Sequence, residues 1–289
     1  MYMITGSLTE GTEYTVTYVN NIDVYTLTEA DAGFDASKAP AVVVTGKGNY
    51  TGTVKKYFVI NKANASIAVE NDTYTKTYGD ESFVLSGITK VGDGTLVYTV
   101  KDSKNAAGQA VAQDKVLTVD ATGKVTIVGA GSAVITVGMA ETENYKAAEE
   151  VSITVNVAKA SYTTEAIERG YAYNKDNADT VDLTEKLPAD IQDASFAVSE
   201  KEGDASFVVA PAIDTTGKLT YTLKKGAKGQ SATLEVLVTS ANYKDFYITV
   251  ELELAYEVLV VLKEGSEVAV VGELTYGDAL SKLPFAEAV

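Results

Sequence analysis

The stretch VLTVDATGKVTIVGAGSAVITVGMAETENYKAAEEVSITVNVAKA, residues 116–160, decides the fold of this chain because its parts recur elsewhere. Three motifs in it return at an offset of about 96 residues. They are DATGKVT at 120–126, which returns as DTTGKLT at 214–220; NYK at 144–146, which returns at 242–244 and as NYT at 49–51; and the closing KA at 159–160, which matches KA at 62–63. A constant offset of this size indicates one structural unit used repeatedly.

Alternating apolar and polar residues fill the runs between these motifs. Residues 151–157 read VSITVNV and residues 246–254 read FYITVELEL, so every second side chain is apolar. This period of two is typical of a β-strand with one buried face, and the many Val, Thr and Tyr residues suit such a surface. TGK at 122–124 and at 216–218 separates short apolar runs, as a hairpin loop does.

The fold class predicted is therefore all-β, with tandem immunoglobulin-like β-sandwich domains arranged end to end and little helix. The alternation also predicts which side chains form the core. These are Leu117, Val119, Val125, Ile127, Ile135, Val137, Ile153 and Val155, followed by Leu219, Tyr221, Leu234, Val236, Ile248 and Val250.

The KA motifs mark the domain boundaries. Residues 64–160 are predicted to form a complete immunoglobulin-like domain, and residues 161–256 a second, divergent one. Residues 1–63 contain only the second half of a unit, because GTEYTVTY at 11–18 aligns with GTLVYTV inside the first complete domain. Residues 257–289 contain only the first half, because their TYGD repeats the TYGD near the start of that domain.

Composition excludes several classes of function. The net charge of −16 opposes binding to nucleic acid or to anionic lipid. The chain has no Cys and no His, so it contains no disulfide, thiolate or imidazole chemistry. No run approaches the roughly 18 apolar residues of a membrane span, so we expect no membrane insertion. We expect no catalytic residues and no cofactor.

The motifs resemble those of a known family. GKGNYTGTVKKYFVINKA at 46–63 and TYTKTYGDESFVLSG at 73–87 are similar to immunoglobulin-like repeats of large bacterial cell-surface proteins. Residues 116–160 resemble the group 2 pattern of such repeats, in which D-x-x-G-x-V precedes G-x-G-x-A-x-I-T-V. The unit 161–256 departs from the pattern, because AYNKDNADTVDL at 172–183 replaces its TYGD. The resemblance implies export, tandem stacking and a role as a stalk, adhesin or wall-associated module.

Three local features have a functional and a structural interpretation. Asn174, Asp176 and Asp179 are weak candidates for calcium ligands, and a solvated acidic loop is the alternative. The recurring Tyr of the NY motifs is either a sugar-stacking platform or a cap on the core whose hydroxyl binds the backbone. GKGNYTG at 46–52 is interpreted as a turn and not as a phosphate loop, because a strand follows it.

Two functions remain open from the sequence. The first is a non-catalytic extracellular structural protein, a rod or fibre of stacked domains on a bacterial surface or cell wall. The half units 1–63 and 257–289 have two interpretations: they are either cut from a longer chain or a device for head-to-tail assembly of copies by strand complementation. The partners of the structural protein would be other copies of itself or neighbouring immunoglobulin-like domains. The second is an adhesin fragment that binds a glycan or a host protein through domain loops, for which the divergent unit 161–256 is the place to look.

Overall fold

The structure, a computed structural model, describes residues 7–203 and 205–257, and it is all-β as predicted. Strands account for about 52% of the chain and helix for 3%. The strands are β1 (Tyr14–Val19), β2 (Ala41–Gly46), β3 (Thr53–Tyr57), β4 (Ser66–Val69), β5 (Thr73–Thr77), β6 (Phe83–Val84), β7 (Ile88–Val91), β8 (Leu96–Asn105), β9 (Leu117–Val119), β10 (Lys124–Ile127), β11 (Gly131–Met139), β12 (Ala148–Ala158), β13 (Ile167–Ala172), β14 (Asn177–Asp182), β15 (Ser195–Gly203), β16 (Val208–Ile213), β17 (Lys218–Leu223), β18 (Ser231–Thr239) and β19 (Phe246–Tyr256).

The helical content of the described residues consists of short 3₁₀ turns. These are Gln113–Lys115, Thr184–Lys186 and Ala205–Phe207. Within residues 7–203 and 205–257, no helix has the length and apolar character that crossing a membrane requires.

The first sheet contains three antiparallel strands in the order β1-β2-β3. Residues 46–52 form the loop between β2 and β3, closed by a 2.9 Å hydrogen bond from Gly46 N to Gly52 O, as the turn interpretation predicts. One face of this sheet is covered by the connection between β1 and β2. There the ring of Phe34 packs edge-on against Tyr57 and Tyr25.

Two sheets enclose the core formed by residues 65–157. A four-stranded sheet has the order β5-β12-β11-β8, and a three-stranded sheet has the order β6-β10-β9. The long strands pair antiparallel, whereas β5 pairs in parallel with β12 at the edge of its sheet. Strands β4 and β7 form a separate two-stranded ribbon.

Residues 162–254 repeat this arrangement. A four-stranded sheet has the order β13-β19-β18-β15, and it faces a three-stranded sheet with the order β14-β17-β16. Strand β13 pairs in parallel with the last strand, β19, as β5 does with β12. The division of the chain at residues 64 and 161 stays a prediction, as do the two half units. Residues 1–6 and 258–289, on which the half-unit interpretation partly depends, lie outside the described residues.

The predicted core positions occupy the space between the sheets. Twelve of the fourteen side chains are buried; Val119 and Ile127 are half-buried and pack against the same core. Leu219, Tyr221, Leu234, Val236, Ile248 and Val250 all belong to the second core. The strand register given by the period-two pattern is therefore confirmed, because a slip of one residue would have exposed these faces.

The two DxTGK hairpins have the same local chemistry. Asp120 Oδ1 accepts hydrogen bonds from Thr122 N at 2.8 Å, Thr122 Oγ1 at 2.6 Å and Lys124 N at 3.0 Å. Asp214 makes the equivalent bonds in the second hairpin. The bonds from Thr122 and Lys124 hold the pKa of Asp120 below its ordinary value. Gly123 has φ 79°, a conformation in which glycine is favoured.

Ile153→Ala tests the register. Ile153 is fully buried on β12. Replacing it with alanine removes the side-chain atoms beyond Cβ and leaves a cavity, which should reduce the free energy of unfolding by about 2–5 kcal/mol. Val97→Ala is the control, because Val97 is 56% exposed and its loss should change stability by less than about 0.5 kcal/mol. Urea unfolding followed by circular dichroism measures both. Equal effects from the two variants would contradict the register.

Candidate functional site

The repeated KA and NYK motifs lie together and form a joint between successive units. In the joint that we name the Ala160 joint, Ala160 N donates a hydrogen bond to Asn242 O at 2.9 Å. Lys244 N donates to Ala160 O at 2.8 Å, and Lys159 Nζ donates to Ser240 O at 2.6 Å. The residues that end one unit are therefore paired in parallel with a loop of the next.

The side chain of Asn242 extends this joint back to the preceding core. Its Oδ1 accepts a 2.8 Å hydrogen bond from Ala130 N. The approach depends on the neighbouring glycine, because a Cβ on Gly129 would lie 3.2 Å from Asn242 Oδ1 and 2.5 Å from Lys115 O. The GAG motif at 129–131 thus gives the asparagine access to a backbone donor.

A second joint, the Ala63 joint, has the same geometry. Ala63 N donates to Asn144 O at 2.9 Å, and Lys146 N donates to Ala63 O at 2.9 Å. The side chain of Asn144 accepts a bond from Val24 N at 2.8 Å and donates to Asp23 Oδ1 at 3.1 Å. An asparagine again links its own unit to a backbone N–H of the unit before it.

Tyrosine side chains complete the Ala160 joint. Tyr78, from the first TYGD motif, packs edge-on against Tyr243 with 5.6 Å between ring centroids. Both hydroxyls donate to one carboxylate: Tyr78 to Asp190 Oδ2 at 2.8 Å and Tyr243 to Asp190 Oδ1 at 2.6 Å. The expectation that the NY tyrosine binds backbone through its hydroxyl was wrong for Tyr243, because an exposed carboxylate from the loop before β15 lies within reach.

This cluster changes the acidity of its members. Hydrogen bonds from Tyr243 and Tyr78 lower the pKa of Asp190 below 3.8. Burial of the ring, together with the bond to Asp190, raises the pKa of Tyr243 to about 12. The joint is therefore most stable when Asp190 is ionised and Tyr243 is neutral, which holds above the ordinary carboxyl pKa and below the ordinary phenol pKa of about 10.

A backbone hydrogen bond from tyrosine ends the parallel strand in both complete sandwiches. Tyr78 N donates to Ala158 O at 2.9 Å, directly after β5. Tyr173 N donates to Tyr256 O at 2.9 Å, directly after β13. Although 161–256 lacks TYGD, Tyr173 supplies the same N–H. A sequence alignment of the TYGD motif does not reveal that Tyr173 is equivalent to Tyr78, because the equivalence lies in a backbone hydrogen bond.

The two acidic calcium candidates bind different partners. Asp176 forms a 2.8 Å ion pair with Lys224 and accepts a bond from Lys225 N. Asp179 accepts a bond from Tyr171 Oη at 2.5 Å, and Tyr171 Oη in turn lies 2.6 Å from Tyr221 Oη. In residues 7–203 and 205–257 no group of three or more acidic residues is placed to hold a metal ion. Calcium binding by Asn174, Asp176 and Asp179 stays a prediction.

A polar depression lies beside this tyrosine pair in the divergent unit. It has a volume of about 500 Å³ and is lined by Ala178, Asp179, Thr180, Ala210, Thr220, Tyr221 and Thr222. The bulge between β16 and β17 opens it, and Ala210 at that bulge has φ 48°. Tyr221 is 3% exposed, so almost none of its ring surface is open for a sugar to stack on.

Known proteins resemble this chain only remotely. No family model matches the chain, and no curated protein sequence matches it. Solved structures that resemble it include Drosophila N-cadherin EC1-3, with 12% identity, a TM-score of 0.27, and coverage of 88% of this chain and 92% of that one. The four N-terminal Ig domains of Dscam1 match with 10% identity, a TM-score of 0.27, and coverage of 74% and 54%.

An enzyme is also among the similar structures. The endo-fucoidan hydrolase MfFcnA4 of glycoside hydrolase family 107 matches with 8% identity, a TM-score of 0.28, and coverage of 84% of this chain. This chain spans only 42% of the hydrolase. With TM-scores of 0.27 and 0.28, these resemblances indicate nothing about the activity or partners of this chain.

The Asp190→Asn variant should lose less unfolding free energy than the wild type when the pH is lowered. The carboxylate has a lower pKa in the folded chain than in the unfolded chain, so its contribution is present above pH 3.8 and is lost as the pH falls through the folded value. Urea midpoints between pH 6 and pH 2.5 should therefore fall less in the variant than in the wild type. Asp245→Asn changes the net charge equally at an exposed position and is the control. If the urea midpoints of Asp190→Asn and of the wild type fell equally with pH, the ionised Asp190 would not stabilise the joint as stated.

Proposed function

We propose that this chain is a non-catalytic structural protein of a bacterial surface or cell wall, an extracellular rod of stacked immunoglobulin-like domains. The observation that carries the proposal is the repetition of the joint, in which Ala63 and Ala160 make the same backbone bonds to Asn144 and Asn242. Interfaces between domains of one chain commonly permit motion. Each joint joins two units by backbone hydrogen bonds and by a separate asparagine side-chain bond to the preceding unit. Two such attachments restrict the motion of one unit relative to the next.

The chemistry of the side chains supports a mechanical role better than a catalytic one. The joints consist of backbone groups and of Lys, Asn, Tyr and acidic side chains, among them Asp190 and Asp23. The chain has no His or Cys to act as a nucleophile or a base near neutral pH. Tyr171 and Tyr221 are the most buried ionisable pair described above. Burial raises the pKa of both, which keeps them neutral.

The rod is proposed to extend by head-to-tail assembly of copies. The first sheet, β1-β2-β3, has no counterpart of the parallel edge strands β5 and β13 among the described residues. A segment of another copy that supplied this strand would add backbone hydrogen bonds and apolar burial together. A contact of this kind, repeated from copy to copy without closing, generates an open fibre.

Sedimentation of the intact chain tests the assembly. The mass is expected to grow with concentration through successive multiples of one chain, and electron microscopy is expected to show threads of uniform width. A variant that ends at Glu257 should keep its β-sheet circular dichroism and remain a monomer. Intact chain that stays monomeric at the highest concentration at which it dissolves would contradict head-to-tail assembly.

The depression in the divergent unit favours an adhesin as the second candidate function. Its hydroxyl groups and the Asp179 carboxylate are groups that hydrogen-bond a sugar or a polar peptide. A glycan array with the intact chain tests this, with Thr222→Arg as a variant that fills the depression. Saturable binding that the variant loses would favour the adhesin. Absence of binding across the array would contradict the adhesin and favour the structural rod.

A further inference from the structure

Two parallel segments, one entering and one leaving the second complete sandwich, pair with each other at both of their ends. We name residues 160–173 the entering segment and residues 242–256 the leaving segment. At one end are the two backbone hydrogen bonds of the Ala160 joint. At the other end β13 pairs with β19, and Tyr173 N donates to Tyr256 O at 2.9 Å. The joint and the strand pairing therefore connect the same two stretches of chain.

The joint and the β13–β19 pairing also share one register. Ala160 lies opposite Tyr243. Further along, Ile167 lies opposite Val250. The same number of residues separates these two contacts on both segments, so the entering segment has no slack between them. Over residues 160–173 the two segments overlap by about 40 Å, at about 3.3 Å per residue.

Aromatic rings join the two segments between the joint and β13. Residues 161–166 of the entering segment are not in a strand. There the ring of Tyr162 packs edge-on against Phe246, with 5.1 Å between ring centroids, and lies 6.1 Å from the ring of Tyr243. All three rings also pack in the second core. The segments are therefore in contact along their length and not only at their ends.

The first complete sandwich has the same arrangement. The Ala63 joint supplies the bonds at one end, and β5 pairs with β12 until Tyr78 N donates to Ala158 O at the other. Here the entering side is longer by one residue, and part of it, β4, pairs with β7. Both complete sandwiches thus combine a joint with a parallel strand on the same leaving strand.

The lysine of each Lys-Ala pair adds a side-chain bond to its joint. Lys62 Nζ donates to Thr142 O, and Lys159 Nζ donates to Ser240 O, each at 2.6 Å. The accepting residue stands two positions before the NYK asparagine in both loops, and its hydroxyl accepts a bond from the N–H of the NYK tyrosine. Each joint is therefore attached by the lysine side chain as well as by the backbone.

Tension along the chain acts on the two segments in opposite directions. The chain comes from the preceding unit at Ala160, and the leaving segment ends at Tyr256, at the far end of the overlap. Because the segments are parallel, pulling on these two points slides one segment along the other. The bonds between them are then strained together, whereas strands that are pulled apart from a shared end lose their bonds one at a time.

The common register couples the joint to β13 under tension. Residues 160–167 already span the distance from Tyr243 to Val250, so opening the joint alone would lengthen the chain very little. A force favours a transition only in proportion to the length that the transition releases. Tension therefore does not favour opening of the joint by itself, and a large extension requires the joint and β13 to release together.

We propose that the Ala160 joint and the β13–β19 pairing act as one shear clamp, which slows unfolding of the second sandwich when the chain is under tension. The joint then stabilises the sandwich that follows it, in addition to connecting two units. This inference rests on the proposed structural function, because such a clamp matters only in a chain that is pulled.

Two pulling geometries separate the joint from β13. The chain has no cysteine, so two engineered cysteines in the intact chain define where force is applied. Glu149→Cys with Glu257→Cys loads the joint, whereas Thr163→Cys with Glu257→Cys loads β13 and bypasses the joint. At one fixed force we expect unfolding to be about tenfold faster through Thr163, the factor that the loss of one or two hydrogen bonds produces. Equal lifetimes would overturn the proposal.

A proline variant tests the backbone bonds of the joint. Lys244→Pro removes the N–H that donates to Ala160 O, so it should shorten the lifetime about tenfold in the geometry that loads the joint. In the Thr163 geometry it should have no effect. Lys244→Ala keeps the N–H and should match the unchanged joint in both geometries.

A second proline variant and an unfolding measurement without force are the controls. Thr215→Pro lies in the turn between β16 and β17, outside both segments, at a position where proline is favoured, and it should not change the lifetimes. Lys244 is exposed and outside the second core, so Lys244→Pro should keep the circular dichroism and the urea midpoint of the wild type. If Lys244→Pro unfolded faster in both pulling geometries, the role of the joint would be wrong.

The outcomes separate this inference from the proposed function, because each measurement is made on a single molecule. If the lifetimes differ as expected while the intact chain stays monomeric, the clamp stands and head-to-tail assembly fails. If the chain assembles while both pulling geometries give one lifetime, the structural function stands and the clamp is wrong.

Discussion

Backbone hydrogen bonding along the outer edge of the last strand is the constraint on which this architecture depends. In each complete sandwich the longest strand, β12 or β19, lies between an antiparallel neighbour and a short parallel strand from the start of the same unit. An unpaired edge in this position would expose a row of donors and acceptors beside an apolar core. Pairing the last strand with this early parallel strand satisfies that edge and also closes the sheet. The remaining hairpins only need to complete the two layers of the core.

The same strand also organises the joints. Strand β12 continues directly into the Lys-Ala pair at 159–160, which binds the NYK loop of the following unit, so core and joint are covalently adjacent. At the Ala160 joint the tyrosine that closes β5 reaches Asp190 and Tyr243 through its side chain. One residue, Tyr78, therefore contributes its N–H to one unit and its ring and hydroxyl to the next. Stability within a unit and orientation between units are coupled at that residue.

The architecture could be predicted because it depends on alternation and turn chemistry, which are visible in a single sequence. Ile153 and Ile248 have their burial set by a period of two, and Asp120 and Asp214 mark hairpins through bonds to their own neighbours. The KA and NYK motifs were visible as repeats, but their meeting was not, because about 80 residues separate Lys159 from Ser240. Asp190 had no motif at all: its role follows from where the loop before β15 places it. Tyr173 was missed because a backbone N–H carries no side-chain signature.

The way in which the asparagines bind the preceding unit has a consequence for how such chains change in length. Asn144 and Asn242 accept hydrogen bonds from the backbone N–H groups of Val24 and Ala130, whose side chains are different. Recognition of a peptide group is indifferent to the residue that bears it, provided that the local backbone can approach. A unit that is duplicated, deleted or exchanged by recombination between two KA motifs would therefore meet a compatible neighbour on each side. Tandem duplication could lengthen the protein in whole units without any compensating substitution at the new boundary.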